Sequence, residues 1–414
     1  MTSYDAANRI TAESRTIGGS GTAVATSLSY DAANRQTTIT DQVTGGSALA
    51  TIVYTDDNAN RVTSEKDAEG TASFTYDNAN ELTAVTGSRS ESYSYDLNGN
   101  RTGTGYSTTV MNETATSPGV TYTYDNAGNM ISANNGSTIT TYTYDYRNRL
   151  TEVTTGGSVS ATYTYNALDQ RIGVKDSGTQ TWTVYNGGSA DADPYADFSG
   201  SGTLTERYLY GAGVINGAVV DEILARTSSG GTTAWYLTDK LGSVRDIVST
   251  SGSELDHIIY DSFGQVTSET NSANGDRFKF ALLEYDATTG LYYAQARTYS
   301  PAIGRFTSRD RIGFSAGDGN LYRYVWNSPT NGVDPSGMQG QTGPDANGNQ
   351  NMFGVVQDMA GTPVGAPVNL TQAPPPSTLI PQWQHPDGNW YNFGSSPNRV
   401  GNFGLIFRFL AACT

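Results

Sequence analysis

A tyrosine followed by aspartate recurs along residues 1–175, and this repetition limits the fold more than any other feature of the chain. The pairs are Tyr4-Asp5, Tyr30-Asp31, Tyr76-Asp77, Tyr95-Asp96, Tyr124-Asp125 and Tyr144-Asp145, with Tyr54 and Tyr165-Asn166 filling the remaining slots. Successive tyrosines stand 19 to 29 residues apart, enough for two short strands and their turns. Two residues before each tyrosine after the first is an apolar or aromatic side chain: Leu28, Ile52, Phe74, Tyr93, Tyr122, Tyr142 and Tyr163. Strand side chains alternate faces, so each such pair shares one face of a strand and the period is two. After the tyrosine, the aspartate is suited to hold a turn through its carboxylate, and the Asn or Gly that follows tolerates positive φ. Each unit reads as a hairpin that cannot bury its aromatic face alone, so successive hairpins must extend one sheet. The expected class is all-β: a long, curled, antiparallel sheet with an irregular C-terminal tail. Arg9, Arg35, Arg61, Arg101, Arg149 and Arg171 recur beside the turns and are expected to pair with repeat carboxylates or stack on tyrosine.

Val, Leu, Ile and Phe make up about a sixth of the 414 residues, a fraction associated with disorder. The net charge of −16 is small per residue, and 27 tyrosines supply the missing burial, so an aromatic core is expected instead. Four lysines, Lys66, Lys175, Lys240 and Lys279, in an acidic chain give no positive field for phosphates or anionic lipid. The repeat region is therefore not expected to bind nucleic acid, and no membrane span is visible. One cysteine, Cys413, excludes an intramolecular disulfide, and with only His257 and His385 no Cys/His metal cluster is expected; no cofactor is implied. Repeats weaken over 176–234, a motif-rich stretch covers 235–338, and 339–414 differs again, with Pro374-Pro375-Pro376 and an apolar end, Leu405-Ile406-Phe407-Arg408-Phe409-Leu410.

The 235–338 stretch resembles the Rhs repeat-associated core. Asp239-Lys240-Leu241-Gly242-Ser243-Val244-Arg245 resembles its D-x-L-G-S-V-R element, and Tyr260-Asp261-Ser262-Phe263-Gly264 its Y-D-x-F-G element. The match continues through Thr289-Gly290-Leu291-Tyr292-Tyr293, Ala296-Arg297-Thr298-Tyr299, Gly304-Arg305-Phe306, Asn320-Leu321-Tyr322-Arg323-Tyr324 and Asp334-Pro335-Ser336-Gly337. The resemblance to Rhs/YD-repeat proteins implies a strip that spirals into a hollow β-shell. In polymorphic toxins and insecticidal toxin complexes of this type, the shell encloses the C-terminal segment as cargo. The implied partners are that segment and a secretion-system or toxin-complex component, at a secreted or cell-surface location.

The resemblance also implies an aspartic-type autoprotease acting once in cis. Its two carboxylates fall on Asp310 and Asp334, its arginine on Arg297, and its cut between Met338 and Gln339. Two close carboxylates can share a proton, one acting as base towards water and the other as acid towards the carbonyl. Arg311 departs from the family's proline after the first aspartate and, as a second cation there, is expected to depress the Asp310 pKa. The plainer reading of Asp334-Pro335-Ser336-Gly337 is a type I turn. Two other functions compete: a cell-surface scaffold whose exposed tyrosine strips bind glycans, and a truncated remnant whose tail is inactive. The tail shows no nucleophile–base set; His385 reads as an exposed turn and Cys413 as a fraying end.

Overall fold

The computed structural model describes residues 2–7, 9–16, 24–187, 193–215, 218–338, 340–344, 350–352, 379–384, 390–392 and 407–411. Gln339, His385 and Cys413 lie outside the described residues. The chain forms two compact units, Met1–Gly354 and Val355–Thr414. In the second, the strand Leu379–Gln384 pairs antiparallel with Trp390–Asn392 and with Phe407–Ala411.

The first unit carries the meander expected from the repeat. A 9-stranded sheet runs from Thr2–Tyr4 to Glu91–Ser92 and a 16-stranded sheet from Ser107–Thr108 to Val266–Glu269. Every strand within each pairs antiparallel with its sequence neighbours. The meander passes without a topological break through the weakened repeats and into the motif-rich stretch. Asp239 Oδ1 accepts the N–H groups of Leu241 and Ser243 at 2.8 and 2.9 Å, and Asp261 Oδ1 those of Phe263 and Gln265 at 2.9 Å. These two elements are the same turn as the upstream repeats.

That turn explains why Tyr-Asp recurs. Asp31 Oδ1 accepts N–H groups from Ala33 at 2.8 Å and Arg35 at 2.9 Å, while its Oδ2 accepts Arg35 Nε at 2.7 Å. Asn34 closes the turn at φ 64°, a left-handed conformation that Asn tolerates. Asp5, Asp57 and Asp145 repeat the pattern with Arg9, Arg61 and Arg149. The arginine then reaches forward: Arg9 lies 4.6 Å from the Tyr30 ring centre and donates to Asn34 Oδ1 at 3.0 Å. The Tyr30 hydroxyl donates back to Ile10 O at 2.7 Å, stitching one hairpin to the next. The same bond joins Tyr76 to Val62 O, Tyr95 to Leu82 O, Tyr165 to Leu150 O and Tyr260 to Val244 O. Burial pushes the Tyr30, Tyr76 and Tyr165 phenols up to about 12. A register shift falls just before Tyr30, Tyr76, Tyr124, Tyr144 and Tyr165, and such bulges add local twist.

Arg101 and Arg171 keep the tyrosine-stacking part of the expected role, 4.7 Å from the Tyr93 ring centre and 4.1 Å from that of Tyr293, but leave the turn aspartate to another residue. Asn100 Nδ2 and Gln170 Oε1 occupy the capping position, on Asp96 Oδ2 and Asn166 Nδ2, so the arginine one residue later turns inward. Arg101 lies 4.1 Å from the Phe263 ring centre, and Arg171 pairs with Glu284 at 3.1 Å.

The strip curls on itself. Arg245 bonds Asp67 at 2.8 Å, Arg15 bonds Tyr236 O at 3.0 Å, and Phe263 packs into the apolar cluster of Ile52, Phe74 and Leu82. After the meander ends, residues 276–337 fold as a plug around the four strands Glu284–Asp286, Leu291–Ala294, Arg297–Ser300 and Arg305–Phe306. Tyr292, Tyr299, Phe306 and Tyr324 stack at its centre and are essentially unexposed. The plug lies along the row of repeat turns. Arg323 and Asn327 bond Glu81, Arg305 bonds Asn100 and Asn112 O, Tyr322 bonds Gly128 O, and Arg311 bonds Arg147 O.

Candidate autoproteolytic site

Three segments of the plug converge on one guanidinium. Arg297 opens the strand Arg297–Ser300 directly after a tight turn in which Gln295 takes φ 45°. Asp310 is fixed by its own N–H on Leu321 O at 3.0 Å and starts a turn in which Gly313 N donates to Asp310 O at 3.1 Å. Asp334 follows the strand Gly332–Val333 and heads the Asp-Pro-Ser-Gly turn, closed by Gly337 N on Asp334 O at 3.3 Å. The turn reading and the site reading of this motif thus describe the same residues, since the turn aims the carboxylate inward.

Arg297 Nη2 lies 3.0 Å from Asp310 Oδ2 and 3.2 Å from Asp334 Oδ2, so the carboxylates meet at one nitrogen. Its Nη1 donates to Leu321 O at 3.1 Å and its Nε to Gly337 O. The guanidinium carbon stands 3.5 Å from the Phe306 ring centre. All three side chains are buried; Arg297, Asp310 and Asp334 are 6%, 8% and 2% exposed. Asp334 Oδ1 also accepts the Ser336 hydroxyl at 3.2 Å and the Met338 N–H at 3.1 Å. The site therefore holds the backbone on the N-terminal side of the Met338 carbonyl. A cavity of ≈ 20 Å³ lies among Arg297, Asp310, Leu321, Trp326, Asp334 and Met338, room for one water.

Burial raises the Asp310 pKa above its ordinary value, with the Asp334 charge adding to the rise against Arg297 and the Ile312 N–H. Burial likewise draws Arg297 below its usual range. The expected depression of Asp310 by Arg311 is not what the structure has. Arg311 points away, donating to Arg147 O at 3.0 Å and pairing with Asp169 at 3.5 Å, because two repeat turns offer it acceptors at the surface. Asp310 therefore holds a proton more readily than a solvated carboxyl.

Of the residues singled out from sequence, Arg297, Asp310, Asp334 and Met338 come together here. Tyr30, Asp31, Tyr76, Asp77, Tyr95, Asp96, Tyr124, Asp125, Tyr144 and Asp145 belong to the repeat turns and strands; Tyr76 and Tyr144 also reach the plug through Thr330 Oγ1 at 2.8 Å and Thr307 Oγ1 at 3.3 Å, and the Tyr124 ring packs on that of Tyr322. Ser336 and the Gly337 carbonyl are additional members, carried by the same motif as Asp334. Phe306 and Leu321 lie within the family motifs, but nothing in the residues assigns them to the site, and Trp326 carries no signal, since the part of all three depends on contacts between distant segments. Among the described residues, no group of three or more His, Cys, Asp or Glu is arranged to hold a metal ion, and no helix is long and apolar enough to cross a membrane.

Residues 109–183 and 222–329 match the teneurin YD-shell family model, and residues 57–91 match the RHS repeat. The chain is 32% identical over 284 residues to the tRNA3(Ser)-specific nuclease WapA of Bacillus spizizenii, covering 67% of this chain and 10% of that one. It is 28% identical over 257 residues to the double-stranded DNA deaminase toxin A of Burkholderia cenocepacia, covering 53% and 17%. A Photorhabdus luminescens Tc holotoxin pore with a mutated TccC3 superposes with a TM-score of 0.60 at 18% identity, covering 81% of this chain and 20% of that chain. The chain thus spans a tenth to a fifth of the length of these relatives. The structural likeness shows the fold, a wall of β-shell type. Repeat turns, curled meander and family matches agree that the chain belongs to the Rhs/YD-repeat family.

Proposed function

We propose that this chain is the closing part of a Rhs-type shell that carries the segment from Gln339 onward and releases it by cutting the Met338–Gln339 bond. The observation that carries the reading is the single buried guanidinium shared by Asp310, Asp334 and Gly337 O, one residue from the proposed cut. In this mechanism Asp334 takes a proton from a water as that water attacks the Met338 carbonyl carbon, and Asp310 gives its proton to the carbonyl oxygen. As the tetrahedral diol collapses, one of its hydroxyls returns a proton to Asp310, the C–N bond breaks, and the Gln339 nitrogen leaves with the proton held by Asp334. Arg297 holds both carboxylates and the neighbouring carbonyl in place, which lowers the entropic part of the barrier. Relatives named as a nuclease and a deaminase toxin support carriage of an effector, and the toxin-complex likeness supports a toxin-complex partner and a secreted or cell-surface location.

The test is a denaturing gel of purified wild-type, Asp310→Asn and Asp334→Asn chains. Two pieces from the wild type and one from each variant are expected. Identical patterns from all three would remove the assigned roles.

A further inference from the structure

The second residue on each side of the proposed cut is a glycine, Gly337 and Gly340, and each is pressed against a fixed wall. Gly337 takes φ +65°, and a Cβ there would strike Ala294 O and come within 3.0 Å of Arg297 N. On the other side, a Cβ at Gly340 would lie 2.5 Å from Trp326 Cζ3 and 3.3 Å from Val325 Cγ1. Trp326 is held there by an unusual backbone: Val325, Trp326 and Asn327 all take left-handed φ, at 37°, 54° and 58°. Left-handed conformation is costly for a β-branched or bulky residue and persists only where the surroundings enforce it. Here Asn327 Nδ2 donates to Glu81 Oε1 and to Gly99 O, both at 2.8 Å, pinning the turn to two repeat turns. Just past Gly340, Gln341 and Thr342 pair with Val333 and Gly332, so the loop from Asp334 is closed at its far end too.

We propose that Trp326 is a positioning residue that makes glycine at position 340 a requirement for self-cleavage. This rests on the cleavage reading above. With Gly337 against Ala294 and Gly340 against Trp326, the backbone sits in a slot that leaves no room for a Cβ at either position, and a side chain at 340 shifts the Met338 backbone away from Asp334. A displacement of about 1 Å slows such a reaction on the order of 10²-fold.

The experiment follows conversion of freshly purified chain to two pieces over time by intact mass. Gly340→Val should cut about 10²-fold more slowly than wild type, and Gly340→Ala should fall between. Gly343→Val, the same change three residues later, should cut within a few-fold of wild type. In the Trp326→Gly background, which removes the indole and suits the left-handed backbone, adding Gly340→Val should cost little. Equal rates for wild type and Gly340→Val, or an undiminished penalty in the Trp326→Gly background, would overturn the slot while leaving the aspartate pair intact. If Trp326→Gly alone stops cutting, the graded pair decides, and equal rates for Gly340→Ala and Gly340→Val overturn the proposal. An uncut wild-type chain removes the cleavage reading and the slot together.

Discussion

Replacing Arg297 by Met asks how much of the plug depends on one guanidinium. The substitution keeps an apolar stem over Phe306 but takes from Asp310 and Asp334, 8% and 2% exposed, the guanidinium they share. It also strips donors from Gly337 O and Leu321 O. Removing one partner of a buried ion pair costs roughly 3–5 kcal/mol. The cost is local to the plug, so hydrogen exchange by mass spectrometry on peptides covering 294–300 and 332–338 is a better assay than global unfolding. If those amides open through the plug, 3–5 kcal/mol corresponds to roughly 10²- to 10³-fold faster exchange or more, measured against the Asp334→Asn chain as an uncut reference. Adding Asp310→Asn and Asp334→Asn to Arg297→Met removes the stranded charges and should recover a large part of the loss. Exchange unchanged by Arg297→Met, or no slower in the triple variant, would refute the view that the arginine compensates two buried carboxylates.

Other consequences follow from the same geometry. Tyr260→Phe leaves Val244 O without its 2.7 Å bond and should lower stability by about 1–3 kcal/mol, read from the denaturant midpoint. Asn34→Ala puts a Cβ residue without a helpful side chain at φ 64° and should cost about 1 kcal/mol, whereas Asn34→Gly should cost less. Burial raises Asp41, Asp239 and Asp261 to about 6, so their contribution is greatest below the ordinary carboxylate value and is lost as pH climbs through 6. The Asp246 and Glu69 bonds raise His257 to about 10, so its contribution is full below 6.5 and is lost as pH rises through 10. Both act in one direction: the thermal midpoint should be higher at pH 5 than at pH 9, and Asp41→Asn should flatten the lower part of that slope. Because Asp310 is raised and supplies a proton, the cutting rate should fall as pH rises past its titration; a rate that increases with pH would reverse the acid and base assignments.

The parts of this fold readable in the residues are those set by local chemistry. Tyr30-Asp31 with Asn34 and Arg35 is a turn whose hydrogen bonds close within five residues, so spacing alone reveals it. The aromatic alternation before each tyrosine likewise reports the buried face of one strand. Positions set by distant segments were not readable. Arg101 and Arg171 look like their counterparts in the repeat, yet Asn100 and Gln170 take the capping position in a turn of the same length, which sends the arginines inward to Phe263 and Glu284. Arg311 looks like a neighbour for Asp310, but acceptors on turns 164 and 142 residues upstream draw it outward. Arg297, Asp310 and Asp334 were found through family motifs rather than spacing, and nothing in the sequence marks Trp326, whose backbone is dictated by Glu81 and Gly99 through Asn327.

The central claim is that the buried carboxylates around Arg297 open the neighbouring peptide bond. Intact mass spectrometry of freshly expressed wild-type protein measures this directly. The prediction is two species, one ending at Met338 and one beginning at Gln339. A single species with the mass of all 414 residues, stable over days at mildly acidic pH, would contradict it.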